Sequence, residues 1–261
     1  MLSLEFAVCS AVSTLREQGL HEAALELATL SLSEDGDQGQ LWELTGLILT
    51  DRQLWREALS ALETASSLVP LTFEGQCRLA DCYAWEGRQE LARDLYCSLV
   101  EQPGLSVESL LAAAAGLDRL GRPDMAVQVC RKAANSDMPT ARTYYEMAYY
   151  MRRCGYPPHL VESMARQAVR LDPESVSYRV GLAAVLHQQG RIEEAYDLVS
   201  ELTCSQLRRI QCPCCLERLL NVCERCEDDV RGKACQAQLQ NLMILDPHIS
   251  PRSSDKGVRI D

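Results

Sequence analysis

Two close cysteine pairs, Cys212-Pro-Cys-Cys215 and Cys223-Glu-Arg-Cys226, are the residues whose type and spacing come nearest to working chemistry. Thiols at C-x-x-C spacing are common half-sites for Zn2+, and two such pairs would supply a four-cysteine site stapling the end of the chain. Cys204, Cys214 and Cys235 lie in the same stretch, within a total of 13 cysteines in 261 residues. A competing reading is geometric. Leu216-Glu-Arg-Leu-Leu-Asn-Val222 has a helical pattern, and Pro213 suits a first helical turn. On one continuous helix Cys215 and Cys226 stand about 16 Å apart along the axis, too far for thiolates held about 2.3 Å from one ion. Cys223 and Cys226 also occupy positions where a thiol packs as a small hydrophobe. The chain is therefore expected to carry no cofactor and no metal, and to purify with less than stoichiometric zinc. A zinc-bearing module working through Cys212–Cys226 is the alternative. Nothing directs the chain to an oxidising compartment, so a disulfide framework is not expected.

Other chemistry is sparse. His21, His159, His187 and His248 are scattered, and no H-E-x-x-H, G-x-S-x-G, G-x-x-x-x-G-K-[ST] or G-x-G-x-x-G occurs. A non-enzyme is expected. The formal net charge of −11 argues against unaided binding to nucleic acid or anionic lipid. No apolar run reaches the roughly 18 residues that span a bilayer. The first residues carry Glu5 and no basic stretch, so neither a signal peptide nor an export route is expected, and the location is expected to be cytoplasmic. The negative balance lies in residues 1–203, since acidic and basic residues nearly cancel over 204–261.

The elements that position these side chains follow from composition and period. Aromatics make up 5% of the chain, Ala and Leu are abundant, and strand-length β-branched runs are absent, so an all-α fold is expected. Gly19-Leu-His-Glu-Ala-Ala24, Gly87-Arg-Gln-Glu-Leu-Ala92, Gly121-Arg-Pro-Asp-Met-Ala126 and Gly190-Arg-Ile-Glu-Glu-Ala195 share one shape, a tight turn opening a helix. Ala24, Ala58, Ala92 and Ala126 recur every 34 residues; one added residue then precedes Val161, and Ala195 follows after another 34. Gln53-Leu-Trp-Arg-Glu-Ala58 keeps the frame without the glycine.

This period and its residues resemble the tetratricopeptide-repeat family. Unit two carries the pattern most fully, with Trp42, Gly46 and Leu49 on a first helix, Ala58, Leu62 and Ala65 on a second, and Pro70 ending it. Unit three supplies Leu79, Ala80, Tyr83, Gly87, Ala92 and Tyr96, and unit five Ala148, Ala165, Ala168 and Pro173. Unit one lacks the closing proline, and Met138 replaces it in unit four. The resemblance implies a right-handed α–α solenoid of six to seven helical hairpins. Units fall at about 5–38, 39–72, 73–106, 107–141, 142–175 and 176–203. A Cys-rich hairpin or degenerate seventh repeat follows over 204–246, and a disordered tail over 247–261.

The resemblance also implies a job, the capture of another protein or a peptide segment against the first helices. Its pattern places Glu43, Leu47 and Asp51 on that face from unit two, Glu74, Asp81 and Trp85 from unit three, and Glu108, Asp118 and Arg119 from unit four. Unit five adds Glu146, Tyr150 and Arg153, and unit six His187. Acidic residues dominate, which predicts a basic or amphipathic ligand anchored at Trp85 and Tyr150. The carboxylate-gripping type of tetratricopeptide domain is not expected. No lysine precedes Lys132, and Cys9, Ser13, Cys77 and Asp81 stand where its cations or amides would be.

Overall fold

A computed structural model describes residues 2–136 and 138–245, so the tail predicted over 247–261, with His248, lies outside the described residues. Among the described residues there are fifteen helices and no strand. They run α1 (Leu2–Glu17), α2 (His21–Glu34), α3 (Gly39–Asp51), α4 (Trp55–Leu68), α5 (Phe73–Trp85), α6 (Gln89–Val100), α7 (Val107–Arg119), α8 (Pro123–Ala134), α9 (Ala141–Arg153), α10 (Pro158–Leu171), α11 (Val176–Gln188), α12 (Ile192–Val199), α13 (Cys204–Leu207), α14 (Pro213–Arg225) and α15 (Asp229–Leu245). Two compact units divide between Val129 and Cys130, inside α8, whereas the composition of the sequence changes near residue 203.

Each hairpin reverses in the same way. Gly19, Gly87, Gly121, Gly155 and Gly190 hold positive φ at the turn between a first and a second helix, where an L side chain is disfavoured. Gln53 (φ 60°) and Glu227 (φ 56°) adopt this conformation without being glycine. The register residues are the ones that meet in the hairpin cores: Ala24, Ala58, Ala92, Ala126 and Ala195 are fully buried, and Val161 is nearly so. Pro157-Pro158 absorbs the added residue at the start of α10. First helices have their own repeated start, because Thr72, Ser106 and Thr140 each accept a backbone N–H three residues on and cap α5, α7 and α9.

In residues 1–129, α1 packs on α2, α3 on α4 and α5 on α6, and the first helices α1, α3, α5 and α7 also touch their neighbours. The core is laid down in successive layers. Cys9, Val12, Ala24, Ala28, Leu41 and Ile48 form one cluster, and Ala58, Leu62, Ala65, Leu79 and Cys82 belong to the next. In residues 130–261, α9 packs on α10, α11 on α12 and α14 on α15. The second helix of the sixth hairpin is short. It ends at Val199, and a capping box at Thr203 and Gln206 opens the one-turn α13.

Candidate partner-binding face and thiol cluster

The predicted face residues divide into three kinds. Glu43, Leu47 and Tyr150 are buried, with relative exposures of 5%, 4% and 4%, and this corrects their expected role as open contacts. Glu43 accepts from the backbone N–H (3.0 Å) and hydroxyl (2.5 Å) of Thr72, and thereby holds the start of α5. Gly75 leaves room for this contact, since a Cβ there would displace the Glu43 carboxylate. Tyr150 packs edge-on to Tyr149, with ring centroids 5.3 Å apart, so its ring is core rather than anchor.

A second group is tied into ion pairs. Arg16 on α1 donates to Asp51 of α3 (2.6 Å) and to Glu74 of α5 (2.7 Å), linking three first helices. Asp81 receives Arg119 (2.7 Å) and the Tyr96 hydroxyl (2.7 Å), with Arg78 at 3.7 Å. Burial of the Tyr96 ring and the facing Asp81 carboxylate push the Tyr96 hydroxyl well above its ordinary pKa. Burial and Asp81 likewise raise the neighbouring Cys77 thiol to about 12, which leaves it unreactive at neutral pH. Glu146 pairs with Arg142 (2.5 Å), yet burial outweighs that pairing and its carboxyl lies above the usual range. His187 Nε2 bonds to Asn221 Oδ1 (2.9 Å), while its buried Nδ1 has no partner. Arg153 stands over the Tyr149 ring.

The third kind is open. Trp85 is 54% exposed at the end of α5, and Glu108 is exposed in the first turn of α7. Asp51, Trp85 and Arg119 close α3, α5 and α7 at equivalent register positions, with Asp51 held by Arg16 and Arg119 by Asp81. Asp118 lies one residue before Arg119 on α7 and is half-buried. Sequence reasoning missed Arg16 and read Tyr96 only as a repeat residue, whereas together they bind Asp51, Glu74 and Asp81. The signal available was an arginine at the end of α1 and an aromatic opposite Gly116, whose missing Cβ makes room for the Tyr96 ring.

At the other end, α14 runs unbroken from Pro213 to Arg225, with Cys212 at its N-cap and Cys226 at its C-cap. The four-cysteine arrangement of the alternative reading is therefore not assembled. Cys223 and Cys235 of α15 are instead both buried free thiols that lie close together. The sulfurs of Cys212, Cys214 and Cys215 converge within 4.8 Å of one another, and Cys212 Sγ lies 3.1 Å from Cys214 Sγ. Thiol contacts from Cys212 and Cys215 hold Cys214 well below the usual thiol pKa, aided by the charges of Arg218 and Arg152. Tyr145 of α9 borders this cluster; its ring lies against Gly181 and 5.0 Å from that of Tyr178. Spacing alone singled out Cys212 and Cys215, and passed over Cys214.

Comparison with known proteins gives one family match, the tetratricopeptide repeat, over residues 180–205, which span most of α11 and α12. No curated protein sequence matches the chain. Similar solved structures include the C-terminal part of a tetratricopeptide-repeat-containing protein from Cytophaga hutchinsonii (TM-score 0.64, 13% identity, 92% of this chain and 96% of that one). A tetratricopeptide repeat protein from Parabacteroides merdae superposes with TM-score 0.64 at 14% identity, covering 91% and 93%. YrrB, described as a tetratricopeptide protein with an unusual peptide-binding site, gives 0.50 at 11%, covering 67% and 93%. At these identities the likeness is one of fold. With its register alanines buried, its hairpin turns set by glycine and its helices paired as in these folds, the chain has the fold of a tetratricopeptide-repeat solenoid, and residues 180–205 match that family itself.

Proposed function

We propose that this chain is a non-catalytic adaptor that holds a basic or amphipathic peptide or protein segment on the first-helix face of residues 1–129. The observation that carries the reading is the exposed Trp85 at the end of α5, in register with Asp51 of α3 and Arg119 of α7. An indole left in water at the end of a packed helix gains from covering by a partner's apolar or cationic side chain, and Arg or Lys over the ring adds roughly 0.5–2 kcal/mol. The net charge of −11 favours encounter with a positive segment. Arg16 and Arg119 neutralise part of the face, so the attraction is narrower than the list of acids implies. Glu74, Trp85, Glu108, Asp118 and Arg119 remain the contact set. The hairpin of α14 and α15 serves as a degenerate seventh repeat, and its thiol-rich packing suits a reducing, cytoplasmic setting.

The test is an array of immobilised peptides of graded charge probed with the full chain, followed by calorimetry on those retained. Basic amphipathic peptides are expected to be held over acidic ones, and Trp85→Ala to weaken them about tenfold, a loss of about 1.4 kcal/mol. Glu108→Lys should weaken them further at low salt. Asp81 is unsuited to this test because Tyr96 and Arg119 depend on it. Equal retention of acidic peptides, or indifference to Trp85→Ala, would reject the reading.

A further inference from the structure

The cluster at the start of α14 is a different site from the first-helix face and has its own chemistry. Three sulfurs from four consecutive residues, Cys212-Pro-Cys-Cys215, meet within 4.8 Å. An ion bound at about 2.3 Å to each of three thiolates in tetrahedral geometry needs sulfurs about 3.8 Å apart. The three can reach that separation by small side-chain rotations, with Cys212 and Cys214 opening from 3.1 Å. The ligands are local, so no distant element has to move to complete the site. Pro213 fixes the first helical turn, and the N-terminal end of a thirteen-residue helix favours the thiolate form.

We propose that Cys212, Cys214 and Cys215 form a three-thiolate site for Zn2+ with one coordination position left open. An all-sulfur donor set selects a soft or borderline ion over Mg2+ or Ca2+. Three thiolates and one Zn2+ leave a surplus negative charge, which Arg218 of α14 and Arg152 of α9 are placed to offset. Partial burial of all three cysteines leaves a path for the ion and for a fourth donor. Closed structural sites use four protein ligands, and an open one keeps a position for water or an incoming group. Neither Cys223, buried about three turns along α14 from Cys212, nor Cys226, at the far end of α14, takes part. This assignment departs from the unmetallated chain expected from spacing, because that expectation weighed only a site shared by both C-x-x-C pairs.

The experiment uses the full chain, reduced with a phosphine and stripped of metal, titrated with Zn2+ against a chromophoric chelator and in parallel with Co2+. One equivalent is expected, with thiolate-to-cobalt charge-transfer absorption. Cys214→Ser should weaken Zn2+ by more than the roughly 10–100-fold that outer-shell changes typically cost, while Cys223→Ser and Cys226→Ser leave it unchanged. A readout that needs no variant is alkylation of the wild type mapped by mass spectrometry. Zn2+ should protect Cys212, Cys214 and Cys215 and leave Cys226 as reactive as before. Absence of stoichiometric binding, or equal protection of Cys226, would overturn the proposal.

Discussion

Gln53 holds a left-handed turn (φ 60°) that five other hairpins give to glycine. Relieving that conformation should outweigh the added freedom of the unfolded chain. Gln53→Gly is expected to stabilise the protein by about 0.5–1 kcal/mol, read as a higher urea midpoint at unchanged slope. Gly116 has the opposite constraint. A methyl group there would overlap the fully packed Tyr96 ring, so Gly116→Ala should cost about 1–3 kcal/mol. The period exposed the turn at Gln53, because 34-residue recurrence is visible in a single sequence, but not the close approach at Gly116. It did not expose the fate of Glu43. A carboxylate on a first helix looks the same in sequence whether it meets water or the capping hydroxyl of the next helix, and only the Thr72 contact decides it.

Helix pairs were legible because each begins or ends on a residue with a backbone reason to be there. Thr72, Ser106 and Thr140 are N-caps, and the glycines fix the turns. The break after α12 was not, since no proline or glycine marks Val199–Thr203 and the stop is set by the Thr203 capping box opening a new turn. Element ends also carry the pH dependence. Asp228 accepts from the Arg231 backbone N–H (3.1 Å) and guanidinium (2.7 Å) and from the Tyr196 hydroxyl (3.1 Å), while Arg231 donates to the Leu202 carbonyl (3.0 Å). Burial alone would raise the Asp228 pKa, but these donors hold it below 3.8. A carboxyl depressed in the folded state stabilises above its unfolded value and loses that contribution as pH falls through the folded one. Asp228→Ala is therefore expected to cost about 0.5–2 kcal/mol at neutral pH, and the gap to wild type to narrow below pH 3.8. Parallel denaturation curves with an unchanging gap would contradict this. Within hairpin three, Ala92→Leu should overpack a position of zero exposure and cost about 1–3 kcal/mol.

For the molecule as a whole, charge and repetition act on different observables. The excess of 37 acidic over 26 basic residues sets a long-range field screened over about 8 Å at physiological salt. Affinity for a basic segment should accordingly fall as salt rises, while the Trp85 contribution persists; a salt-independent affinity would remove electrostatics from the account. Total charge was plain from composition, but the pairing by Arg16 and Arg119 arises across helices and needed the fold. Repetition has a consequence of another kind. Among the described residues, Ala24 and Ala58 share core clusters with residues of their own hairpin and the next one. Removing or duplicating one 34-residue block would hand each remaining interface an equivalent neighbour. A block of another length would drive a polar side chain into a site built for alanine, except at a turn such as Pro157-Pro158, where one residue has already been absorbed. Length changes in such a chain are therefore expected to be tolerated as whole hairpins or at the turns between helices.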